Sequence, residues 1–457
     1  MTPPRPFAMT AADSAWLRME QPENPMTITG IMGFGERIEM EAVRAWLESR
    51  IVPYPRFRMK VDGLGTGSPR WVPDPDFSLD HVVVPARLPS PGKAGLERLV
   101  SELMSTPMSF SHSPWTVHYV PEVDHGDGTS GTALVVRLHH VIGDGIALMH
   151  VLLNSADEFE RHVPAPRTPR KPTSARVART LKGAAAETKD LLTHPSHALD
   201  RVKTLGKGIG ALGGLLAMRP DSHTVFKGQA SVDKRAAWTR PYALDRLKAI
   251  GRGMGAKLND VLLATAAGAL RRYLVDESQP VRDVEVRAAV PFNVRPLERA
   301  HELGNSFGLV FLSLPVALPT PQARLAELKR RMDAAKDSAE PMVVYGILQS
   351  IGRAPKWAHR MVVKMFAEKT SAVMTNVPGP QRTLHIGGAP LTTLMFWVPQ
   401  AGDIGLGLSL LSYAGRVRVG VGSDAAYVER PERLVAAFEA ELDALEAEFG
   451  GQEVHPE

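Results

Sequence analysis

Apolar positions along the chain follow two periods that take turns. Alternation of apolar and other residues marks TITGIMGF at 27–34, WTVHYVPEV at 115–123 and TALVVRLHH at 132–140. It returns in VEVRAAVPF at 284–292, GLVFLSLPV at 308–316, LTTLMFWVP at 391–399, GLGLSLLSY at 405–413 and RVRVGVGSD at 416–424. Successive side chains of a strand point to opposite faces, so these runs predict strands. Spacing of three to four residues instead marks 40–51, 146–162, 243–254, 259–274 and 431–449. There Val43, Trp46, Leu47 and Ile51 share one side, for example, and the spacing predicts helices with one apolar face. Strands interleaved with helices predict an α/β protein. The runs fall into two groups, which predicts two α/β halves with mixed sheets, at 1–160 and 226–457.

Residues 161–225 fit neither half. They open on the Pro-rich VPAPRTPRKPTS and end with the Gly-rich GKGIGALGGLLAM. Between them Val177, Leu181, Ala184, Thr188 and Leu191 recur at helical spacing, and Arg176, Arg179, Lys182 and Lys189 largely avoid that stripe. Charge gathers here. The whole chain carries +5, yet residues 161–220 alone hold twelve Lys and Arg against three acids, or +9, and the remainder is −4. A basic crossover linker with a solvated face is the plain reading. The same four cations are also candidates for contact with an anionic membrane or lipid-droplet surface. No aromatic residues interleave the basic run, which argues against nucleic acid.

Composition then removes several classes of chemistry. Of 457 residues, 44% are hydrophobic and 23% charged, as in ordinary globular proteins, and none is cysteine. That excludes a disulfide scaffold, Cys-ligated zinc or iron–sulfur sites, and an acyl group held on a protein thiol. The first six residues contain three prolines, and no apolar run of signal-peptide length follows. The charge-free stretch between Arg382 and Asp403 is broken by Gly387–Gly388, Pro390 and Pro399. A cytoplasmic protein without a spanning helix is expected.

Two GxGxxG strings, at 126–131 and 208–213, lack the strand-to-helix turn that binds a dinucleotide, so both are expected to be loop glycines. GNSFG at 304–308 matches GxSxG, but a strand rather than a helix follows Ser306, which argues against a hydrolase elbow. The string RLHHVIGDG is more informative. His139 and His140 close a strand, a tight turn follows, and Asp144 and Gly145 open a helix. Neighbouring strand residues face opposite ways, so the pair does not readily chelate a metal, and no metal site is expected. One imidazole should face a cavity, where a neutral ring can take a proton from an alcohol. Asp144 can cap the helix or pair with an arginine, and Gly145 permits close approach.

With this turn the chain resembles the bacterial wax ester synthase/diacylglycerol acyltransferase family, HHxxxDG enzymes with a chloramphenicol-acetyltransferase-like fold. The likeness runs nearly end to end: Asp13-Ser14-Ala15-Trp16-Leu17, Pro55-Arg56-Phe57-Arg58, HHVIGDG, Asn259-Asp260, VPFNVR, Leu303-Gly304-Asn305 and Thr375-Asn376-Val377-Pro378-Gly379-Pro380. Ser113-Pro114-Trp115 stands where the family often has Pro-Leu-Trp beside its acyl-CoA channel, a departure that bears on acyl-chain preference. The resemblance implies an active-site tunnel between the halves and no cofactor, acyl-CoA being a substrate. The second substrate would be a long-chain alcohol or diacylglycerol. His140 would be the base, with His139 in support and Asp144 paired to Arg295. Trp115, Asn259, Asp260, Thr375 and Asn376 would lie near substrate. Two other readings stand beside this one. One is an HHxxxDG enzyme with a different hydroxyl acceptor, of polyketide-associated or peptide-condensation type. The other is a silent lipid-droplet-coating protein.

Overall fold

Two mixed sheets carry the architecture, seen in a computed structural model that describes residues 4–65, 68–159, 210–295, 302–336, 338–352 and 354–449. Most of the basic crossover, with Arg176, Arg179, Lys182 and Lys189, lies outside the described residues. The first sheet runs in the order β13 (His385–Ile386), β14 (Ala389–Trp397), β2 (Thr27–Phe34), β7 (Ser130–His139), β6 (Trp115–Asp124) and β5 (Val83–Pro85). All its neighbours are antiparallel except the β5–β6 pair. The second runs β11 (Phe307–Leu314), β10 (Val286–Asn293), β12 (Ala372–Pro378), β15 (Leu406–Tyr413), β16 (Arg416–Asp424) and β8 (Lys234–Trp238), and β9 (Tyr242–Ala243) adds to β16. Here β12 pairs in parallel with both β10 and β15. A small third sheet joins β1 (Phe7–Ala8), β4 (Arg70–Pro73) and β3 (Met59–Asp62).

The runs read as strands from their alternation are strands. Pattern alone does not say which sheet a strand joins, and β14 shows it. This strand belongs by sequence to the second half, yet it pairs with β2 in the first sheet, Met395 opposite Ile31. Its Trp397 still faces the second sheet. The ring lies edge-on to Trp238 of β8, 5.5 Å between centroids, and Nε1 donates to Val421 O of β16. One strand therefore locks the halves together. Helix α4 (Gly92–Ser105) adds Leu96, Leu99 and Val100 to the same apolar seam.

On its other face the first sheet carries α2 (Met40–Arg50) and α5 (Gly145–Ser155), while α1 (Ala11–Met19) and the short α3 (Leu79–Val82) complete this half. The helix read at 146–162 stops at Ser155, and Asp157 N then donates to His385 O. The helical segment 210–217, here α6, leads into the second half. There α7 (Leu244–Gly253), α8 (Leu258–Asp276), α9 (Pro321–Lys336) and α12 (Pro431–Phe449) cover the second sheet. Glu441 of α12 is fully buried and takes hydrogen bonds from Arg272 and Arg324, so its charge is paired. Helices α10 (Glu340–Ile351) and α11 (Lys356–Glu368) complete the fold beside α1 and β11.

Candidate active site

The turn after β7 lies where the two sheets meet. His139 is fully buried and both its nitrogens are engaged. Val141 N donates to Nδ1 at 3.1 Å, so the proton sits on Nε2 and points at Glu20 Oε2, 3.2 Å away. Phe110 meets the ring edge-on. This histidine holds the turn in shape.

His140 points the other way, and its ring lines a cavity of about 220 Å³. Its Nδ1 is 2.8 Å from Asn305 Oδ1. The amide orientation is settled by the other end of Asn305, whose Nδ2 donates to His140 O and to Asp13 Oδ1, both at 2.8 Å. Asn305 Oδ1 is therefore an acceptor, and His140 carries its proton on Nδ1. Nε2 is left with its lone pair and with no hydrogen-bond partner among the described residues. Trp16 stacks on the ring at 4.0 Å, nearly parallel. Burial pushes the imidazole pKa down to about 4, against the smaller opposing pull of Asn305, so the ring is neutral at physiological pH.

Behind Asn305 stands a buried carboxylate. Asp13 Oδ1 also accepts Asn305 N, and Oδ2 takes Arg56 Nη2 at 2.9 Å. Arg56 Nη1 in turn donates to Val141 O and Ile142 O, which pins the turn itself. Asp144 makes a second such knot. Its Oδ1 caps α5 through Ala147 N, while Oδ2 accepts Ser306 N at 2.9 Å and Arg295 Nη2 at 2.6 Å. Arg295 also reaches Gly304 O. Burial raises the Asp144 carboxyl pKa despite Arg295. Gly304 has φ +129°, a backbone conformation that this loop reaches readily only with a glycine.

The remaining residues named from sequence separate into groups. Thr375 and Asn376 line the His140 cavity, and Thr375 Oγ1 is buried with no partner among the described residues. Asn376 Nδ2 donates to Asn259 Oδ1, so Asn259 reaches the cavity only through Asn376. Asn259 is the second residue of α8, which starts at Leu258 after its cap Lys257. Asp260 was expected near substrate, and the structure places it differently. It is buried at the third position of α8, where its carboxylate accepts Lys257 N, and it is absent from the cavity wall. Trp115 lines a different cavity, of about 170 Å³, and its Nε1 donates to Phe57 O. That space is walled by Leu138, Leu148 and Leu152 among others. Gly145, Val377 and Val398 border both cavities, and a Cβ on Gly145 would lie 3.4 Å from Val377 Cγ2. Ser306 immediately precedes β11 and offers its backbone N–H to Asp144; a strand follows it, not the helix that a nucleophile elbow requires. Asp13, Trp16, Arg56 and Asn305 have no local pattern that announces a role. They stand out only because three far-separated stretches of the chain converge on one imidazole.

A family model for the wax ester synthase/diacylglycerol acyltransferase catalytic domain matches residues 9–262, and one for the WS/DGAT C-terminal domain matches 303–446. The chain belongs to this family. Among its curated relatives, a probable diacylglycerol O-acyltransferase of Mycobacterium tuberculosis is 26% identical, with 96% of each chain covered. The O-acyltransferase WSD of Acinetobacter baylyi is 25% identical over 96% of this chain and 97% of its own. Among solved structures, the wax ester synthase/diacylglycerol acyltransferase of Marinobacter aquaeolei VT8 superposes with a TM-score of 0.67 at 22% identity, covering 97% of this chain and 100% of that one. The starter condensation domain of rhizomide synthetase, solved with C8-CoA, shares the fold with a TM-score of 0.58 at 15% identity, covering 99% and 96%. As a member of the wax ester synthase/diacylglycerol acyltransferase family, the chain keeps the HHxxxDG turn intact.

Two measurements test this site. Reversing Arg295 to Glu leaves Asp144 facing a like charge in a buried setting, and should cost at least about 3 kcal/mol in chemical denaturation; an unchanged unfolding curve would refute the pairing. Protonating His140 removes the Nε2 lone pair, so activity is lost as pH falls through its pKa. The acid limb of kcat/KM should therefore lie near pH 4, with a plateau through pH 6, and a limb between 6 and 7 would contradict the neutral buried ring.

Proposed function

We propose that the chain transfers a fatty acyl group from acyl-CoA to the hydroxyl of a long-chain alcohol or diacylglycerol, giving a wax ester or triacylglycerol. One observation carries the reading. His140 has its proton fixed on Nδ1 by Asn305 and its free Nε2 on the side of an apolar cavity. The substrate hydroxyl gives its proton to Nε2 as its oxygen attacks the thioester carbonyl. The tetrahedral intermediate collapses, the C–S bond breaks, and the CoA sulfur takes the proton back from Nε2. As the imidazolium forms, the Nδ1–H bond to Asn305 strengthens, with the Asp13 carboxylate behind it. His139 and the Asp144–Arg295 pair act by holding the turn. Transfer is direct, which suits a chain without cysteine.

Cavity walls support a lipid acceptor over a polar one. Leu348, Ile351, Val363 and Phe366 face the reaction space, and its few polar wall groups, Thr375 and Asn376 among them, would return only part of the hydrogen bonds that a strongly polar acceptor gives up in leaving water. Both substrates carry long apolar chains, and the two cavities meeting at Gly145 offer an apolar path beyond the thioester. No helix among the described residues is long and apolar enough to cross a membrane. On this reading the enzyme is cytoplasmic and meets its acceptor at the surface of an anionic membrane or a lipid inclusion.

Purified protein with a panel of acyl-CoAs, supplied in parallel with hexadecanol or diacylglycerol, tests the reaction. A thiol reagent reports released CoA without background from the protein. His140→Ala should lower CoA release at least about a hundredfold; near-full activity would remove the base assignment. Gly145→Val should narrow the junction between the cavities. It should reduce turnover of a C16 acyl-CoA about tenfold more than that of a C4 acyl-CoA, and an equal effect on both would show that the second cavity takes no acyl chain.

A further inference from the structure

Large apolar side chains exposed to solvent are few among the described residues, and they are not scattered. Of eight such residues among those described, five lie on α6, α10 and α11: Trp357 (69% exposed), Met361 (61%), Met342 (60%), Leu216 (58%) and Leu212 (40%). These helices are neighbours. Leu215, Val344, Leu348 and Ile351 form one small core with Val362 and Phe366 packed against it. Lys369 Nζ, just past α11, donates to Leu215 O and Leu216 O, which ties the end of α6 to the end of α11.

Charge on α11 is arranged to match. Lys356, Trp357, Arg360, Met361 and Lys364 are all exposed, and their spacing of one, three and four residues puts them on one stripe. None of the three cations forms an ion pair with a described residue. Glu368, at the last position of the helix, is the one acid on α11. The inner face of the same helix, through Val363, Phe366 and Ala367, walls the His140 cavity. A helix that is wet, basic and aromatic outside and lines the reaction space inside stands between solvent and the catalytic imidazole.

We propose that the outer face of α11, with Met342 of α10 and Leu212 and Leu216 of α6, docks on an anionic phospholipid surface and sets the cavity against the layer that supplies the lipid acceptor. This rests on the lipid-surface reading above and names the face that performs it. Trp357 and Met361 would enter the headgroup–acyl boundary, while Lys356, Arg360 and Lys364 meet lipid phosphates. The chain's own basic crossover is a poor alternative cover, because its +9 would lie against a cationic face. None of the five docking side chains on α11 lines either cavity, so the face can be altered apart from the chemistry.

Flotation of the full-length protein with vesicles of phosphatidylcholine alone, or of phosphatidylcholine with phosphatidylglycerol, tests the proposal. Wild type should float with the anionic vesicles. W357S/M361S and K356Q/R360Q/K364Q should each reduce the bound fraction about tenfold, with turnover of a short-chain acyl-CoA and alcohol in detergent unchanged. If R176Q/R179Q/K182Q/K189Q abolishes flotation while the α11 variants float like wild type, the lipid-surface reading stands and this face is wrong. Wild type that floats with neither vesicle overturns the lipid-surface reading itself. If W357S/M361S turns a dimer into a monomer and leaves flotation intact, the face is a contact between copies of the chain and the proposal falls.

Discussion

The buried Asp13 carboxylate is the point from which the active site is held. It lies in the first helix of the chain, yet it receives Arg56 on one oxygen and Asn305 on the other. A carboxylate removed from water must be paired and hydrogen-bonded or it becomes costly, and here the partners that satisfy it are the groups that build the catalytic turn. Arg56 reaches on to the carbonyls of Val141 and Ile142, and Asn305 reaches on to both the ring and the carbonyl of His140. One buried charge thus fixes the tautomer of His140 and the backbone beneath it. The Asp144–Arg295 knot repeats the scheme a turn later, taking Ser306 N and Gly304 O from the same loop. Together the two knots bind the loop before β11 to the first half of the chain. Alignment of His140 with the cavity is in this way a property of the folded whole.

How much of this was legible in the sequence depended on distance along the chain. Both histidines, the turn and the helix start at Asp144 lie within seven residues, and their side-chain directions follow from the alternation of a strand. Asn305 could not be read the same way, because its partners are His140 and Asp13, and its own string imitates a hydrolase elbow. Asp260 was placed near substrate only by the resemblance, and its carboxylate instead serves the backbone at the third position of α8. Helices α10 and α11 were hidden by interruptions in their run. Pro341, Gly352 and Pro355 break the run into short pieces, and exposed Met342, Trp357 and Met361 blur the apolar face of each.

Sheet membership was the other thing pattern did not carry. Alternation at 391–399 announces a strand and says nothing of its partner. Its place beside β2 follows from burial on two sides, Met395 and Trp397 against Ile31, Val135 and Trp238 on one, and Leu394 and Phe396 in the core under α2 and α5 on the other. The division into two halves describes the order of elements along the chain better than it describes the sheets.

That placement has a consequence for the birth of the protein. On a ribosome the chain emerges from its first residue onward, and β2 is made long before β14. About 260 residues separate the end of β7 from the end of β14. At roughly 5–20 residues per second, that leaves about 10–50 s in which β2 is an open, apolar edge. Such an edge readily pairs with another chain. The protein must therefore pass through a stage in which its first sheet is unfinished and adhesive, and chaperone supply, rather than final stability, would set how much of it matures.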